Sequence, residues 1–296
     1  MIEVCFPTDR SGFAVALRAF VDASAQGDIF CVAGIAFGFG RARKAQSRWR
    51  QLFSPRVIHM TDLHSRRGEF EGITPDEGGQ ILKDCVSIVN KHMQFFAISS
   101  CRISEMKENL QVPETGDPIM DAISKGVSSP YAWCVHTVMH HLGHLSHLHS
   151  GSRSGISYVI EAGDLGQGKV KEYIRFVEDH PYPAFRAMYG FDGASFVEKQ
   201  GKEVLLQASD ILCWEWAKHL LRKDQGKGVR PPLNAIFGGL EETSQKYGLT
   251  GASQKPGRGI ASHYEGDKWA ESLRDLCNEY SSPDTNQLAS LYRENG

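Results

Sequence analysis

The segment that decides the fold is a strand, a glycine-rich turn and a helix in succession: Gly155-Ile-Ser-Tyr-Val-Ile-Glu161-Ala-Gly-Asp164-Leu-Gly-Gln-Gly-Lys169. The apolar run 156–160 is β-prone and too short for a helix, so it predicts a buried strand. The glycines end that strand, and apolar residues at helical spacing over 170–177 predict a helix after the turn. Glu161 stands at the strand tip, where a buried carboxylate is costly unless it is paired or binds a cation.

Two kinds of site fit this turn. Residues Gly163 to Lys169 spell Gly-x-x-x-x-Gly-Lys, the first seven positions of a phosphate-binding loop that would serve a nucleotide-binding ATPase. The next position of that motif is Ser or Thr, whose hydroxyl binds magnesium, and here it is Val170. The alternative is a metal site that takes carboxylates from Glu161 and Asp164, with the glycines only shaping the turn. The rest of the chain favours the metal site.

The composition is that of a globular protein, and the chain has no overall positive charge that would indicate a nucleic-acid partner. The 296 residues carry 33 Lys and Arg against 35 Asp and Glu, a net charge of −2. Seven cysteines without a Cys-x-x-Cys pair indicate reduced thiols in a cytoplasmic protein. We expect no signal peptide and no membrane partner, and nothing indicates the oligomeric state. One local exception to the charge balance is basic, and it is equally typical of a solvated helix face: Arg41, Arg43, Lys44, Arg48 and Arg50.

The order of predicted elements is that of an α/β domain over residues 1–222. Residues 223–296 are interrupted by glycine and proline, and they predict a C-terminal appendage that is helical or irregular. The predicted strands are 14–21 and 29–37 as a hairpin, a fragment at 57–60, then 94–103, 156–161 and 194–197; the main helices are 41–53, 75–92, 130–149 and 203–222.

Three further carboxylates stand out because of their surroundings. Asp22 follows the first apolar strand, and Asp210 lies in the apolar helix segment 205–212, where an acid is rare without a partner. Asp62 closes the run His59-Met-Thr-Asp62. These contexts favour a shared site, but each residue also has a structural explanation. The explanations are a turn cap for Asp22, a salt bridge from Asp210 to Lys199 or Lys202, and a hydrogen bond between His59 and Asp62.

An ordered set of motifs resembles the domain-of-unknown-function 3800 family of RNase H-like proteins. The set spans roughly residues 17–222, and two of its members depart from the family pattern. The first usually reads Asp-Glu-Ser and here has Ala23 at its centre, while the last has Ser209 where Ala is usual. The motifs are Phe20-Val-Asp22-Ala-Ser24, Val32-Ala-Gly-Ile35, Trp49, His59-Met-Thr-Asp62-Leu63, Gly68-Glu-Phe70, Glu161-Ala-Gly-Asp164, and Lys199 before Gln207-Ala-Ser-Asp210.

The resemblance implies an RNase H-like mixed sheet flanked by helices and a metal-dependent nuclease, a hydrolase acting on DNA or RNA. The expected cofactor is Mg²⁺ or Mn²⁺, which prefer oxygen ligands. Lys199 is expected to neutralise charge on the phosphate, and His59 to move a proton. A non-catalytic binding or regulatory module and, less strongly, an ATPase remain alternatives. The expected metal-binding residues are Asp22, Glu161 and Asp210, with Asp62 and Asp164.

A stripe of histidines marks the predicted helix 130–149. The residues His136, His140, His144 and His147 recur at spacings of 4, 4 and 3, and apolar residues occupy the opposite stripe. The pattern predicts that the histidines face solvent. The alternative is zinc, because histidines four residues apart on a helix can share an ion.

Overall fold

A mixed six-stranded β-sheet is the centre of the fold. This computed structural model describes residues 17–109, 127, 129–150, 155–163, 167–179, 183–199, 203–237 and 259–264. The order across the sheet is β5-β4-β1-β2-β3-β6. Strand β2 is antiparallel to both β1 and β3, whereas β4 pairs in parallel with β1, β5 with β4 and β6 with β3. The strands are β1 (Leu17–Gln26), β2 (Ile29–Gly38), β3 (Phe95–Arg102), β4 (Ile156–Glu161), β5 (Phe191–Val197) and β6 (Gly259–Tyr264).

Helices cover both faces of the sheet. No helix in the described residues is both long and apolar enough to cross a membrane. The helices are α1 (Phe39–Phe53), α2 (Met60–Ser65), α3 (Pro75–His92), α4 (Ile103–Asn109), α5 (Pro130–Ser150), α6 (Gln167–Asp179), α7 (Pro183–Met188), α8 (Leu206–Lys223) and α9 (Pro231–Phe237).

Strand alternation divides the apolar residues into two cores. On one face, Phe20 and Val159 pack with α1, α3 and α8. On the other face, Val21 and Ile160 pack with α5 and α6. Because successive side chains of a strand point to opposite faces, Asp22 and Glu161 both lie on the α8 face. The last register pair of β1 and β4 is Val21 with Ile160, so Asp22 and Glu161 come next on adjacent parallel strands.

The predicted α/β class is confirmed, and several elements form for the reasons visible in the sequence. The β1–β2 hairpin turns at Gly27, whose φ of +60° suits glycine. Helix α3 begins with a capping box in which Thr74 and Glu77 satisfy each other's backbone N–H groups. Its predicted span of 75–92 agrees with the structure. The strand 156–161 is also found as predicted.

Three expectations about elements were wrong. Strand β1 does not end before Asp22 but continues to Gln26, so Asp22 lies inside the strand opposite Ala33. Residues 57–59 form no strand, and Met60 begins α2. The C-terminal region 223–296 supplies β6, which pairs with β3 in the main sheet. The proposed boundary after residue 222 stays a prediction, and most of 238–296 lies outside the described residues.

The prediction that the histidine stripe faces solvent was wrong for its first member, His136. His136 is buried, with its Nδ1 2.7 Å from Tyr173 Oη and 3.2 Å from Tyr189 Oη. Burial lowers the pKa of His136 to about 3, so the ring is neutral. His140 and His144 are half-buried, and His147 is exposed. The reason is that α5 packs on the sheet and on α6 at the same time, so two of its sides are covered.

A close approach of backbones fixes α5 against the turn after α7. A Cβ at Gly143 would clash with the Met188 carbonyl oxygen and lie 2.7 Å from the Tyr189 carbonyl carbon. We therefore expect Gly143→Ala to destabilise the fold by about 1–3 kcal/mol. Gly79→Ala is the matched control, since it adds a methyl to exposed α3 with nothing within 4 Å. It should stabilise by about 0.5–1 kcal/mol. Urea unfolding measures both, and equal effects would contradict the close-packing account.

Candidate active site

Three carboxylates from different elements converge on the ammonium group of Lys199. Lys199 Nζ lies 2.8 Å from Asp22 Oδ2, 3.2 Å from Glu161 Oε2 and 3.6 Å from Asp210 Oδ2. All four side chains are largely or fully buried; Asp22 is fully inaccessible, and Glu161 is the most exposed at 14%. The structure thus brings together four of the five predicted catalytic residues around one atom.

Each of the four residues owes its place to the sheet or to α8. Asp22 lies within β1, and Glu161 ends the adjacent strand β4. Lys199 follows β5, the next strand outward, by two residues. Asp210 projects from α8, which packs across β1 and β2. Parallel pairing of β1, β4 and β5 therefore places three of these residues at one end of the sheet, and α8 supplies the fourth.

Two further side chains of α8 fix the helix to the backbone of β1. Ser209 Oγ donates to the carbonyl of Phe20 at 2.7 Å, and Cys213 Sγ donates to the carbonyl of Asp22 at 3.1 Å. These contacts set the distance between Asp22 and Asp210. Cys213 was not predicted as part of the site. Its spacing of four residues from Ser209 puts both on one side of the helix, which is the signal that could have indicated it.

Gln207 anchors the end of α1 and the segment that follows it by accepting two hydrogen bonds. Its Oε1 accepts hydrogen bonds from Trp49 Nε1 at 2.8 Å and from the backbone N–H of Ile58 at 2.9 Å. The N–H of Met60 donates to Asp210 Oδ2 at 3.1 Å. His59 lies between these anchors, with its Nδ1 3.6 Å from Asp210 Oδ2. The imidazole is 42% exposed, so it stands at the mouth of the buried cluster.

The charges of the cluster do not cancel. If all three acids are ionised, Lys199 leaves the four groups with a net charge of −2. Burial raises the pKa of Asp22 well above its ordinary value. The ammonium of Lys199 lowers this pKa, and the neighbouring carboxylates of Glu161 and Asp210 raise it. Burial also works against ionised Asp210, but the His59, Lys199 and Met60 contacts outweigh it and lower the pKa. Asp22 is therefore the acid that retains a proton most readily.

The ammonium of Lys199 is held in its charged form. Burial favours the neutral amine, yet the attraction of Asp22, Asp210 and Glu161 is larger and raises the pKa of Lys199 above its ordinary value. The proposed structural pairing of Lys199 with Asp210 is present, but the contact with Asp22 is the shorter one. Lys199 thus acts first as the internal counter-ion of the cluster.

One other predicted ligand, Asp62, stands apart from this cluster. Asp62 lies on α2, and no contact among the described residues joins its carboxylate to Asp22, Glu161 or Asp210. Its suggested hydrogen bond with His59 is not among the described contacts either; His59 approaches Asp210 instead. Asp164 lies outside the described residues.

The glycine-rich turn is held by a side chain from the start of α6. Gln167 Oε1 accepts from the N–H of Gly163 at 3.2 Å, and Gln167 Nε2 donates to the carbonyl of Glu161 at 3.4 Å. Gly163 has a φ of +112°, a conformation that favours glycine. Lys169 is exposed and forms an ion pair with Glu172 at 3.0 Å. The described part of the turn therefore has a structural explanation that needs no phosphate.

No protein-family model matches the sequence, and no curated protein matches it at a significant level.

The counter-ion role of Lys199 predicts a pH-dependent stability defect. Lys199→Met leaves buried carboxylates unpaired and should destabilise the fold by about 3 kcal/mol at neutral pH. Without the ammonium the folded-state pKa of Asp22, which burial already raises, rises further. Stability is then retained at low pH and lost as pH rises through that folded-state pKa, so the defect should shrink at pH 5. Urea unfolding at both pH values measures it.

A double-mutant cycle provides the control. In Asp22→Asn/Lys199→Met the most deeply buried charge is removed together with its partner, so much of the lost stability should return. Additive effects of the two substitutions, with no change between pH 5 and pH 7, would contradict the ion-pair account.

Proposed function

We propose that this protein is a divalent-metal-dependent hydrolase of phosphodiesters, a nuclease with an RNase H-like fold. The observation that carries the proposal is the convergence of Asp22, Glu161 and Asp210 from two strands and one helix onto a single point. Acids collected at such cost in a buried site serve a purpose beyond stability, because apolar residues there would stabilise the fold equally well or better.

The architecture supports the RNase H-like part of the proposal. The described sheet is mixed and flanked by helices, as the resemblance implies. The motif residues quoted for the family also assemble: Trp49 contacts Gln207, and Asp22 and Asp210 share Lys199. Motifs that are far apart in the chain therefore form one connected unit.

The cluster suits a hard divalent cation in its chemistry and charge. Carboxylate oxygens are the ligands that Mg²⁺ and Mn²⁺ prefer, and the net charge of −2 on the four groups would be balanced by one such ion. As the side chains stand, no group of three or more His, Cys, Asp or Glu in the described residues is arranged to hold an ion. In this proposal Lys199 Nζ, which lies 2.8 Å from Asp22 Oδ2 and 3.2 Å from Glu161 Oε2, occupies the point that a cation would take. The residues fit a cation once Lys199 withdraws.

In this proposal each residue has a definite task. Asp22, Glu161 and Asp210 hold the cation, which when bound activates water and stabilises charge on the phosphate. Lys199, displaced from its carboxylates, would bind a phosphate oxygen through Nζ. His59 stands at the mouth of the site, where its Nδ1 contact with Asp210 orients the ring for proton transfer at the other nitrogen. Burial of Asp22 keeps bulk water from the centre of the cluster.

The position of Lys199 also favours a second candidate, a non-catalytic binding or regulatory module. A permanent ammonium among three carboxylates is a complete structural ion cluster that needs no metal. The two candidates differ in whether a divalent cation competes with Lys199. The ATPase alternative has less support, because Lys169 pairs with Glu172 on the surface and Val170 is buried in the core.

The nuclease proposal predicts that Asp22→Asn abolishes metal-dependent cleavage. The amide keeps the shape of the side chain and removes a charge that holds the cation, so activity should fall on the order of 100-fold or more. Stability at neutral pH should be equal or higher, since the ionised Asp22 is disfavoured by burial. Labelled single-stranded and duplex DNA and RNA with Mn²⁺ provide the assay. Asp76→Asn, an exposed acid in the first turn of α3, is the matched control.

Calorimetry with Mn²⁺ separates the nuclease from the non-catalytic module. If Lys199 competes with the cation, Lys199→Met should bind Mn²⁺ more tightly than the wild type, and Asp22→Asn should bind it weakly. No Mn²⁺ binding in wild type or Lys199→Met, together with no cleavage, would instead favour the module.

We expect no ATP binding at the glycine-rich turn. Val170 offers no magnesium ligand, and Asp164 would repel phosphate within the loop. Lys169→Ala should therefore leave both ATP binding and stability unchanged, because an exposed ion pair contributes little. Calorimetry with ATP and Mg²⁺ checks this. Tight ATP binding that disappears in Lys169→Ala would overturn the nuclease proposal in favour of the ATPase.

A further inference from the structure

The outer face of α1 carries a concentrated positive charge. Five cations project from this 15-residue helix, and the helix has no acidic residue. Buried side chains on the opposite face, among them Trp49 and Phe53, fix which side is turned outward. The exposed cations, called the α1 basic face below, are Arg41, Arg43, Lys44, Arg48 and Arg50.

Four cations of the α1 basic face, Arg41, Arg43, Lys44 and Arg48, have no acidic partner in the described part of the chain. Among the residues that the structure describes, no ion pair joins Arg41, Arg43 or Lys44 to a carboxylate, and Arg48 bonds only the neutral Gln51. Arg41 also stands in the first helical turn, where a cation opposes the helix dipole and no side chain caps the helix. The arrangement costs local stability, which indicates that an external anion is its partner.

The end of α3 extends the positive region. Lys91 is exposed, and His92 beside it is half-buried. Burial lowers the pKa of His92, and the charges of Lys91, Lys44 and Arg41 lower it further. The positive field of the α1 basic face therefore reaches a neighbouring helix.

An exposed aromatic ring accompanies these cations. Phe39 is 51% exposed at the start of α1, and the guanidinium of Arg43 lies 5.7 Å from the centre of its ring. A large apolar ring left in water beside arginines is typical of surfaces that stack unpaired bases and bind their phosphates. Paired bases within a duplex do not offer their faces in this way.

We propose that the α1 basic face binds the phosphate backbone of single-stranded nucleic acid and that Phe39 stacks on a base. Positions 41 to 50 span roughly 14 Å along the helix, the length of a few nucleotides. The inference rests on the proposed function for the identity of the polyanion. Trp49 connects α1 to Gln207, one helical turn before Asp210, so the α1 basic face and the carboxylate cluster lie on the same side of the sheet.

An anionic membrane is a less suitable partner for this helix. Amphipathic helices bind lipid by inserting an apolar face, and that face of α1 is already packed in the core. Vesicles containing anionic lipid therefore form a comparison arm of the test.

The test is fluorescence anisotropy with labelled oligonucleotides in EDTA, so that cleavage does not interfere. Arg41→Gln/Lys44→Gln/Arg48→Gln should weaken binding of single-stranded DNA or RNA about tenfold or more, and the salt slope should fall by about 2. The matched control is Lys169→Gln/Lys171→Gln/Arg175→Gln on exposed positions of α6, across the sheet, which removes equal charge. It should bind as the wild type does.

Two single substitutions separate stacking and folding from charge. Phe39→Ala should weaken single-stranded binding and leave duplex binding unchanged. Arg41→Glu should weaken binding with an unchanged or higher Tm, because an acid suits the first turn of a helix. The inference is overturned by wild-type affinity of the α1 triple variant, by an equal loss in the α6 control, or by binding to anionic vesicles but not to oligonucleotides. A Phe39→Ala variant with full single-stranded affinity overturns the stacking contact.

The outcome is distinguishable from that of the proposed nuclease. Asp22→Asn should lose cleavage and keep oligonucleotide binding, because it leaves α1 untouched. Normal metal-dependent cleavage with no effect of the α1 triple variant on binding would reject this inference alone. Binding through α1 without cleavage by the wild type would reject the nuclease and leave the α1 basic face as a nucleic-acid site.

Discussion

A single buried ammonium holds three carboxylates that the chain brings from distant places. Lys199 Nζ contacts Asp22 on β1, Glu161 at the end of β4 and Asp210 on α8. None of these residues is near another in sequence, so the cluster exists only when the strands are in register and α8 is docked. A shift of β4 by one residue would turn Glu161 to the opposite face of the sheet. The register of the strands therefore determines whether the carboxylates of the site can meet at all.

Lys199 alone does not balance the charge of the cluster. With Lys199 inside, one positive charge faces three acids, and burial, aided by the neighbouring acids, raises the pKa of Asp22. A proton on Asp22 relieves that imbalance at low pH. In the proposed nuclease a divalent cation relieves it at neutral pH and frees Lys199 to bind substrate. In that proposal, the same excess of acid that destabilises the folded state would create the affinity for a cation.

Local patterns predicted much of the fold, and they failed where tertiary packing decided the outcome. Helix α3 and strand β4 followed from a capping box and a short apolar run. The burial of His136 did not, because an α5 covered by both sheet and α6 has no simple polar face. Among the site residues, Asp22, Glu161 and Asp210 stood out as acids in apolar surroundings. The central place of Lys199 has no local signal, since it arises from contacts between distant elements, and the anchoring role of Cys213 is indicated only by its spacing of four residues from Ser209.

The net charge of −2 conceals a separation of charge across the molecule. The buried cluster is negative, whereas the outer face of α1 is positive, and its Arg41, Arg43 and Lys44 form no ion pair with a carboxylate of the described residues. A carboxylate centre repels a polyanion, so the proposed nuclease could not rely on these carboxylates to bind substrate. Affinity must come from cations placed away from the acids. Because Trp49 and Gln207 join α1 to the helix that carries Asp210, a strand held on α1 would be positioned relative to the acids by the rigid core. In this proposal the positive charge that binds the polyanion lies on α1, and the negative charge that would hold a cation lies in the carboxylate cluster.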